Sequence, residues 1–452
     1  MNRGVLLLAF SCCLSLSAQD FSKTNAVADF EFLRGQIIQY QPTLPLYTPD
    51  FKMQADSLIS AVDGPLNRFE YFQMLSKLIC LAGEGHFSVG QWDDTIHSGF
   101  GDNSYAQIPL NVYLLDRNIY VREDLSLNGL QLGDEVLSIN GKAAYQVVQE
   151  LSGLIPVDGD IVTYARHQLA GRFMWFYYLG MEQPDQFQLG IRRADSSWQV
   201  TIPALTRAEM IENVKLIRER DQMPVKKDDQ DVSSFFELEF RDSIAHLRLK
   251  SFSRSLMEQF DLKAKKFYRN VFAEIEEEGA AILIIDLRGN SGGRLEFETE
   301  ILPYVMKDAP VDYYRMSRSW EGKERYYRQK KKPGKIFTGE IYVFIDGASF
   351  SAGSTLARYL REYGQATLIG EESGSRYEGY AAGSKQYVTL PNSRMRIGIP
   401  RYAILYPTSE KQTTSNRGVI PDIEVNPDIQ DLLRGDDAYL RALDELLQQK
   451  NP

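Results

Sequence analysis

The chain has 452 residues, of which 43% are hydrophobic, and this is enough to build two or three folded domains with a sizeable core. Its formal net charge of −10 argues against nucleic acid or an anionic membrane surface as the main partner. The short basic run Lys330–Lys332 is interpreted as a solvated loop rather than a binding site.

Residues 1–18 are predicted to be a secretory signal peptide. A positive charge at Arg3 precedes a short apolar run and a group of small residues that ends at Ala18. The apolar run is too short to span a membrane, and no later segment is apolar enough to be a transmembrane helix. We therefore expect a secreted or periplasmic protein without a transmembrane segment.

The cysteines leave one alternative open for the N-terminus. A lipoprotein acylated on Cys12 or Cys13 is conceivable, but Ala-Phe-Ser before Cys12 is a poor lipobox. After removal of the leader only Cys80 remains, so no intrachain disulfide can form and stability must come from the core.

Residues 19–103 are predicted to form a mainly helical N-terminal domain. Hydrophobic residues recur at helical spacing around Phe30, between Met53 and Val62, and between Phe69 and Ile79. The last helix leads into Gly-Glu-Gly-His86, where the glycines allow a tight turn that presents His86 at a loop tip.

The chain contains four histidines: His86, His97, His167 and His246. A single histidine is usually structural or merely exposed, and we assign His97, His167 and His246 to that class. The glycines around His86 make it the best candidate for a general base.

Residues 104–206 are predicted to form a small domain of short strands. Strand patterns occur at Ile119–Val121 and Glu135–Ile139, with the turn dipeptide Asn140-Gly141 after the second. The aromatic run Arg172–Leu179 is interpreted as packed core rather than a ligand platform. The charged segment 207–234 is predicted to be a linker, or an exposed helix followed by a loop.

Residues 235–430 are predicted to form an α/β core. Ala280–Ile285 is a continuous apolar strand of the kind found in parallel sheets covered on both faces. It ends in the glycine-rich loop Asp286–Gly293, and a second buried strand follows at Ile341–Ile345. Alternation of strands and helices predicts right-handed crossovers, which place both loops at the carboxyl edge of the sheet, where ligands bind.

Ser351 lies on the turn between the strand Ile341–Ile345 and a helix that begins at Ala352. The free N–H groups and the positive end of the helix dipole can stabilise a developing oxyanion there, as a serine nucleophile requires. The alternative is that Ser351 is only an N-cap, which is the interpretation that spacing alone favours.

Three motifs follow one another in this part of the chain: Asp286–Gly293, Ser349–Ala352 and Arg417–Val425. Gly129–Gly141, which precedes them, resembles the core of a PDZ domain. With these motifs the chain resembles the tail-specific (C-terminal processing) and tricorn-like serine peptidases. The resemblance implies a crotonase-like α/β catalytic core, an inserted PDZ-like β-rich domain and a helical N-terminal domain, and we expect residues 431–452 to form a C-terminal helix.

The resemblance assigns the nucleophile to Ser351 and the oxyanion hole to the N–H groups of Ala352 and of Gly292 or Gly293. In the processing branch a lysine acts as the base, but Arg376 occupies the matching position here. Because arginine stays protonated, a Ser–Lys dyad is not expected.

The tricorn-like branch uses a histidine base instead, and His86 matches that site. The third member of the triad is not assigned by the motifs. Glu410 is the nearest late glutamate, and Ser88 or Glu84 could also orient the histidine ring.

These residues predict a secreted or periplasmic serine endopeptidase that acts on a peptide or protein through an acyl-enzyme. No cofactor is implied, and the histidines are too few and too scattered for a zinc site. The alternative is a catalytically inactive family member that binds peptides or hydrophobic ligands. The sequence does not specify the oligomeric state or the substrate.

Overall fold

The computed structural model describes residues 21–91, 105–220, 232–306, 313–329 and 335–450. The predicted signal peptide, His97 and the run Lys330–Lys332 lie outside these ranges. Within them, no helix combines the length and the apolar character needed to cross a bilayer.

The helices are numbered in chain order. They are α1 Lys23–Tyr40, α2 Leu44–Tyr47, α3 Phe51–Ser60, α4 Arg68–Cys80, α5 Ala144–Ser152, α6 Val162–Gly171, α7 Phe173–Gly180, α8 Arg207–Arg220, α9 Arg254–Gln259, α10 Ala264–Glu277, α11 Leu295–Thr299, α12 Leu302–Val305, α13 Ala352–Tyr363, α14 Ile429–Arg434 and α15 Ala438–Lys450.

The strands are numbered in the same way. They are β1 Ser88–Gln91, β2 Ala106–Gln107, β3 Leu110–Leu115, β4 Asn118–Asp124, β5 Glu135–Ile139, β6 Lys142–Ala143, β7 Gln186–Arg193, β8 Ser196–Pro203, β9 Leu205–Thr206, β10 Phe236–Arg241, β11 Ile244–Leu249, β12 Ile282–Asp286, β13 Tyr313–Ser319, β14 Glu324–Gln329, β15 Glu340–Ile345, β16 Thr367–Gly370, β17 Gly379–Thr389, β18 Arg396–Leu405 and β19 Ile423–Glu424.

The main sheet has the strand order β10-β11-β12-β15-β16-β19, and every pair from β11 to β19 is parallel. Alternate residues of its strands face opposite sides. Ile285 and Val343 pack with α10 and α13 on one face, whereas Ile284 and Phe344 pack with α15 on the other. Burial on both faces explains the continuous apolar runs in the sequence, and it confirms the prediction of a mixed α/β architecture.

A second sheet, which the sequence analysis did not predict, joins the N-terminal region to the core. Its order is β1-β18-β13-β14, with β17 paired to β18, and all its pairings are antiparallel. Strand β1 begins two residues after His86 and pairs with β18. This pairing attaches the histidine loop to residues 235–430, which also contain Ser351. The N-terminal region is therefore not a purely helical unit.

Residues 105–206 contain a third sheet, β3-β4-β5-β7-β8, with β6 paired to β5. Asn140 and Gly141 have φ angles of 49° and 81°, as a two-residue hairpin turn requires. The aromatic run forms α7 and buries Phe173, Phe176 and Tyr177 in the core of this domain, as predicted.

Part of the charged segment 207–234 is a packed helix. Helix α8 buries Met210 and Ile217 against Leu125 of the small domain, so this half of the segment is not an exposed linker. Residues 221–231 lie outside the described ranges.

Asp29 on α1 ties the N-terminal helices to the turn between β17 and β18. Its buried carboxylate accepts the N–H groups of Asn392 and Ser393, both at 2.8 Å, and the Tyr71 hydroxyl at 2.7 Å. Charge-assisted bonds of this kind contribute more than neutral ones, and removing the acceptor leaves its donors without a partner.

We expect Asp29→Ala to lower the free energy of unfolding by about 2 kcal/mol, because four donors lose this acceptor, the fourth being the side-chain amide of Asn392. Urea unfolding followed by fluorescence measures the change. Glu31→Ala, an exposed carboxylate on the same helix, is the matched control and should change stability little. Equal effects of the two substitutions would contradict the role assigned to Asp29.

Candidate active site

Ser351 occupies a strained turn between β15 and α13. Its backbone angles are φ 54° and ψ −124°, which a non-glycine residue seldom adopts. Although Ser351 is at the N-cap position, its side chain makes no capping hydrogen bond, so capping does not explain its presence. Its N–H donates to Ser375 Oγ at 2.8 Å.

The Asp346 carboxylate binds both loops at the carboxyl edge of the main sheet. It accepts the N–H of Gly289 from the glycine-rich loop at 3.0 Å and the N–H of Ser349 from the serine turn at 2.9 Å. The two loops that were predicted to meet at this edge are therefore held side by side.

Asn290 then fixes the glycine-rich loop against the serine turn. Its carbonyl accepts the N–H of Phe350 at 2.9 Å, and its Oδ1 accepts the N–H of Gly292 at 2.8 Å. A Cβ on Gly292 would lie 2.7 Å from the nitrogen of Ala352, so only glycine fits beside the turn. The Gly292 N–H, one of the predicted oxyanion donors, is therefore already bonded within its own loop.

His86 lies in an aromatic stack beside the serine turn. Its ring packs between Phe350, at a centroid distance of 4.4 Å, and Tyr380, at 5.0 Å. Nδ1 lies 3.3 Å from Oε1 of Glu84, whereas Nε2 is buried and bonded to none of the described residues. Ser351 directly follows Phe350, which stacks on the histidine ring, but Ser351 Oγ makes no hydrogen bond to Nε2 of His86.

Burial, with a smaller contribution from the charge of Lys385, lowers the pKa of His86 to about 4 against the opposing effect of Asp158. The imidazole is therefore neutral at pH 7. With Nδ1 facing the Glu84 carboxylate, the proton belongs on Nδ1 and the lone pair on Nε2, which is the tautomer that a general base requires.

The structure does not bring Glu410 to the histidine. Glu410 is exposed, in the loop after β18, and the carboxylate that lies beside Nδ1 is Glu84. Ser88 lies in β1 and packs toward Gly398. Of the three residues that the sequence left open for orienting the ring, Glu84 is the one in contact.

Arg376, in the position of the missing lysine, is 1% exposed and is not a base. Its guanidinium donates to the carbonyl of Gly83 at 2.7 Å and to that of Gly379 at 3.3 Å, and it lies 4.0 Å from Glu84 Oε2. It therefore holds the histidine loop against the core and supplies a positive charge beside the orienting carboxylate.

Asp158, which the sequence analysis did not single out, completes this cluster. It lies in the loop between α5 and α6 and accepts the N–H of Gly85 at 2.6 Å and of Arg376 at 3.2 Å. In the sequence, Asp158-Gly159 has the appearance of an ordinary turn dipeptide, so no local signal distinguishes it.

Glu84, His86 and Asp158 bring ligand atoms within 4.8 Å of one another, which is a spacing that could hold a metal ion. However, Glu84 Oε2 already accepts the N–H of Ala381 at 2.7 Å, and both Asp158 oxygens accept backbone N–H groups. The nearby guanidinium also repels a cation. These donors suit a carboxylate that orients a histidine better than a metal site.

The other two histidines in the described part of the chain lie beside carboxylates. His167 Nε2 lies 3.1 Å from Glu371, and His246 Nε2 lies 3.4 Å from Asp286. Neither ring is in the stack that holds His86, so the structural role of both stays a prediction.

Residues 243–425 match the family model described as Peptidase family S41. The carboxy-terminal processing protease CtpB of Bacillus subtilis is 27% identical over 40% of this chain and 34% of its own length. The tail-specific protease of Haemophilus influenzae is 25% identical over 48% of this chain and 29% of its own length. The chloroplastic carboxyl-terminal-processing peptidase 1 of Arabidopsis thaliana is 21% identical over 70% of this chain and 53% of its own length. The matches thus span only about a third to a half of these relatives.

Among solved structures, mature CPAF superposes with a TM-score of 0.65 over 94% of this chain and 96% of that chain, at 14% identity. At this identity the likeness shows a common fold and nothing more. Residues 243–425 thus resemble Peptidase family S41, and part of the chain is similar to tail-specific and carboxy-terminal processing proteases.

Proposed function

We propose that the chain is a secreted or periplasmic serine endopeptidase that hydrolyses peptide bonds through an acyl-enzyme on Ser351, with His86 as the general base. The observation that carries the proposal is the buried His86 ring, stacked on the residue before Ser351 with Nε2 free to accept a proton. The strained Ser351 turn at the start of α13 supports it.

In the proposed first half-reaction, Ser351 Oγ attacks the scissile carbonyl carbon as its proton passes to Nε2 of His86. The tetrahedral oxyanion accepts hydrogen bonds from the N–H groups of Gly293 and Ala352, at the positive end of the α13 dipole. Glu84 faces the imidazolium that forms. The intermediate then collapses to the acyl-enzyme while Nε2 returns the proton to the leaving amine, and water releases the acyl group by the same steps.

We further propose that the sheet of residues 105–206 is a PDZ-like module and that the main sheet with its helices is a crotonase-like core. The module would take an extended peptide by strand addition and deliver it to Ser351. The resemblance of Gly129–Gly141 to a PDZ core and the antiparallel sheet support this proposal.

A fluorophosphonate probe tests the nucleophile and the base directly. We expect the protein to be labelled, Ser351→Ala to lose labelling altogether, and His86→Ala to label at least about 100-fold more slowly. Labelling is measured by in-gel fluorescence, with near-ultraviolet circular dichroism as the check on folding. The control is Ser88→Ala, because Ser88 is partly exposed. Ser349→Ala is not suitable, because the Ser349 hydroxyl supports the serine turn.

Full labelling of folded His86→Ala would mean that the base lies elsewhere. A folded wild type that never labels would favour the alternative of an inactive peptide-binding or hydrophobic-ligand-binding protein.

The acidic limb of the labelling rate reports the pKa of His86. The base works only when neutral, and burial holds its pKa at about 4, so the rate should be level from about pH 8 to about pH 5. Below about pH 4 it should fall about tenfold per pH unit, because protonated His86 cannot accept the serine proton. Stopped-time labelling with intrinsic fluorescence at each pH measures this profile. A midpoint near pH 6.5 would indicate a solvated histidine and contradict the buried stack.

Asn290 is expected to support the oxyanion hole. Asn290→Ala removes the acceptor of the Gly292 N–H and leaves the loop free to move, so the labelling rate should drop about tenfold or more. Asn392→Ala, at a turn remote from Ser351, serves as the matched asparagine control. An unchanged rate in folded Asn290→Ala would show that the glycine loop is held by other contacts.

A further inference from the structure

Two carboxyl groups, Glu84 and Asp158, lie together behind His86, and both are 0% exposed. One carboxylate oxygen of each lies within 4.8 Å of the other and of a ring nitrogen of His86. Two negative charges this close and removed from water repel each other strongly, so one of the two groups keeps its proton. The pair therefore carries one negative charge rather than two.

The surroundings indicate where the proton lies. Burial raises the pKa of Glu84, but the guanidinium of Arg376 at 4.0 Å from Oε2, the N–H of Ala381 and the Thr43 hydroxyl oppose this effect, so the charge is better stabilised on Glu84 than on Asp158. Burial, and next the charge of Glu84, raise the pKa of Asp158 well above its usual value. Asp158 is thus the protonated member.

The position of Asp158 is fixed from three directions. Its own oxygens accept the N–H groups of Gly85 and Arg376, and the next residue, Gly159, donates its N–H to the carbonyl of Gly83. The loop that carries Asp158 belongs to the small domain, whereas Gly83 and Gly85 flank the acid beside His86. The small domain is therefore hydrogen-bonded directly to the histidine loop.

We propose that Asp158 is a positioning residue for catalysis, contributed by the small domain as a neutral acid that donates a hydrogen bond to Glu84 and so aims the single carboxylate at His86 Nδ1. This inference rests on the proposed function. When His86 takes the serine proton, the imidazolium meets the one negative charge of Glu84, and the proton of Asp158 stays in place. A second negative charge would instead hold a proton on His86 and remove the base.

Isosteric substitutions distinguish the two acids. Asn keeps the neutral charge and a donor toward Glu84, but its amide nitrogen cannot accept one of the two backbone N–H groups, so Asp158→Asn should label with the fluorophosphonate probe within about fivefold of wild type and faster than Asp158→Ala. Glu84→Gln removes the charge that faces the imidazolium and should label at least about 100-fold more slowly. Asp158→Ala should lose about tenfold or more, so that Asn rescues what Ala loses. Asp160→Asn, an exposed acid on the same loop, is the matched control and should label as wild type.

Thermal stability gives a readout that does not depend on activity. Unfolding lets Asp158 ionise above about pH 4, so its raised pKa costs the folded wild type more stability as pH rises. The Tm of Asp158→Asn minus that of wild type should therefore be more positive at pH 7 than at pH 4.5. The titratable groups that face Asp158 are Glu84, His86, Arg376, Tyr47 and Tyr164. Burial raises the pKa of both tyrosines, so they stay neutral over this range.

The outcomes separate the inference from the function it rests on. A wild type that does not label removes the proposed function. If the wild type labels, two results overturn the assignment of the proton to Asp158. One is that Asp158→Asn and Glu84→Gln lose labelling rate equally. The other is that Glu84→Gln labels as wild type while Asp158→Asn does not. Asp158→Ala labelling as fast as wild type overturns the positioning role, and if that variant does not fold, the two isosteric variants still decide the matter.

Discussion

The burial of one guanidinium group organises the candidate site. Arg376 is almost wholly removed from water, and a buried charge is costly unless it is paired. Its partners come from distant parts of the chain: the carbonyls of Gly83 and Gly379, the carboxylate of Glu84, and the face of Tyr47 at 3.9 Å. Satisfying Arg376 therefore requires the histidine loop to lie against the core.

The pairing of Arg376 also bears on the proposed base, because Arg376 occupies the position of the lysine that acts as the base in the processing branch. Arg376 cannot accept a proton, but its positive charge opposes the rise that burial causes in the pKa of Glu84, and Glu84 faces Nδ1 of His86. The aromatic stack removes the ring from water and keeps it neutral. Arg376, which cannot itself be a base, thus lies beside the Glu84 carboxylate that contacts the proposed base His86.

Local sequence was sufficient for the elements that carry the nucleophile. A buried strand, a glycine-rich loop and a helix start have strong short-range signals, so the strands Ile282–Asp286 and Glu340–Ile345 and the helix after Ser351 were predicted with small errors at their ends. Glycine on both sides of His86 likewise marked the loop that presents it. These features depend on hydrophobic periodicity and backbone freedom, which neighbouring residues determine.

Contacts between distant segments were decided only by the tertiary structure. The antiparallel sheet that pairs β1 with β18 and the contact of Asp158 with the histidine loop have no local signal. Glu84 was a candidate from its place beside His86, but only the structure showed that it, and not Glu410, contacts the ring. A carboxylate in an isolated segment is solvated and ionised whatever its neighbours in sequence. Its role beside His86 follows from burial and from the donors that folding gathers around it, and sequence spacing contains neither.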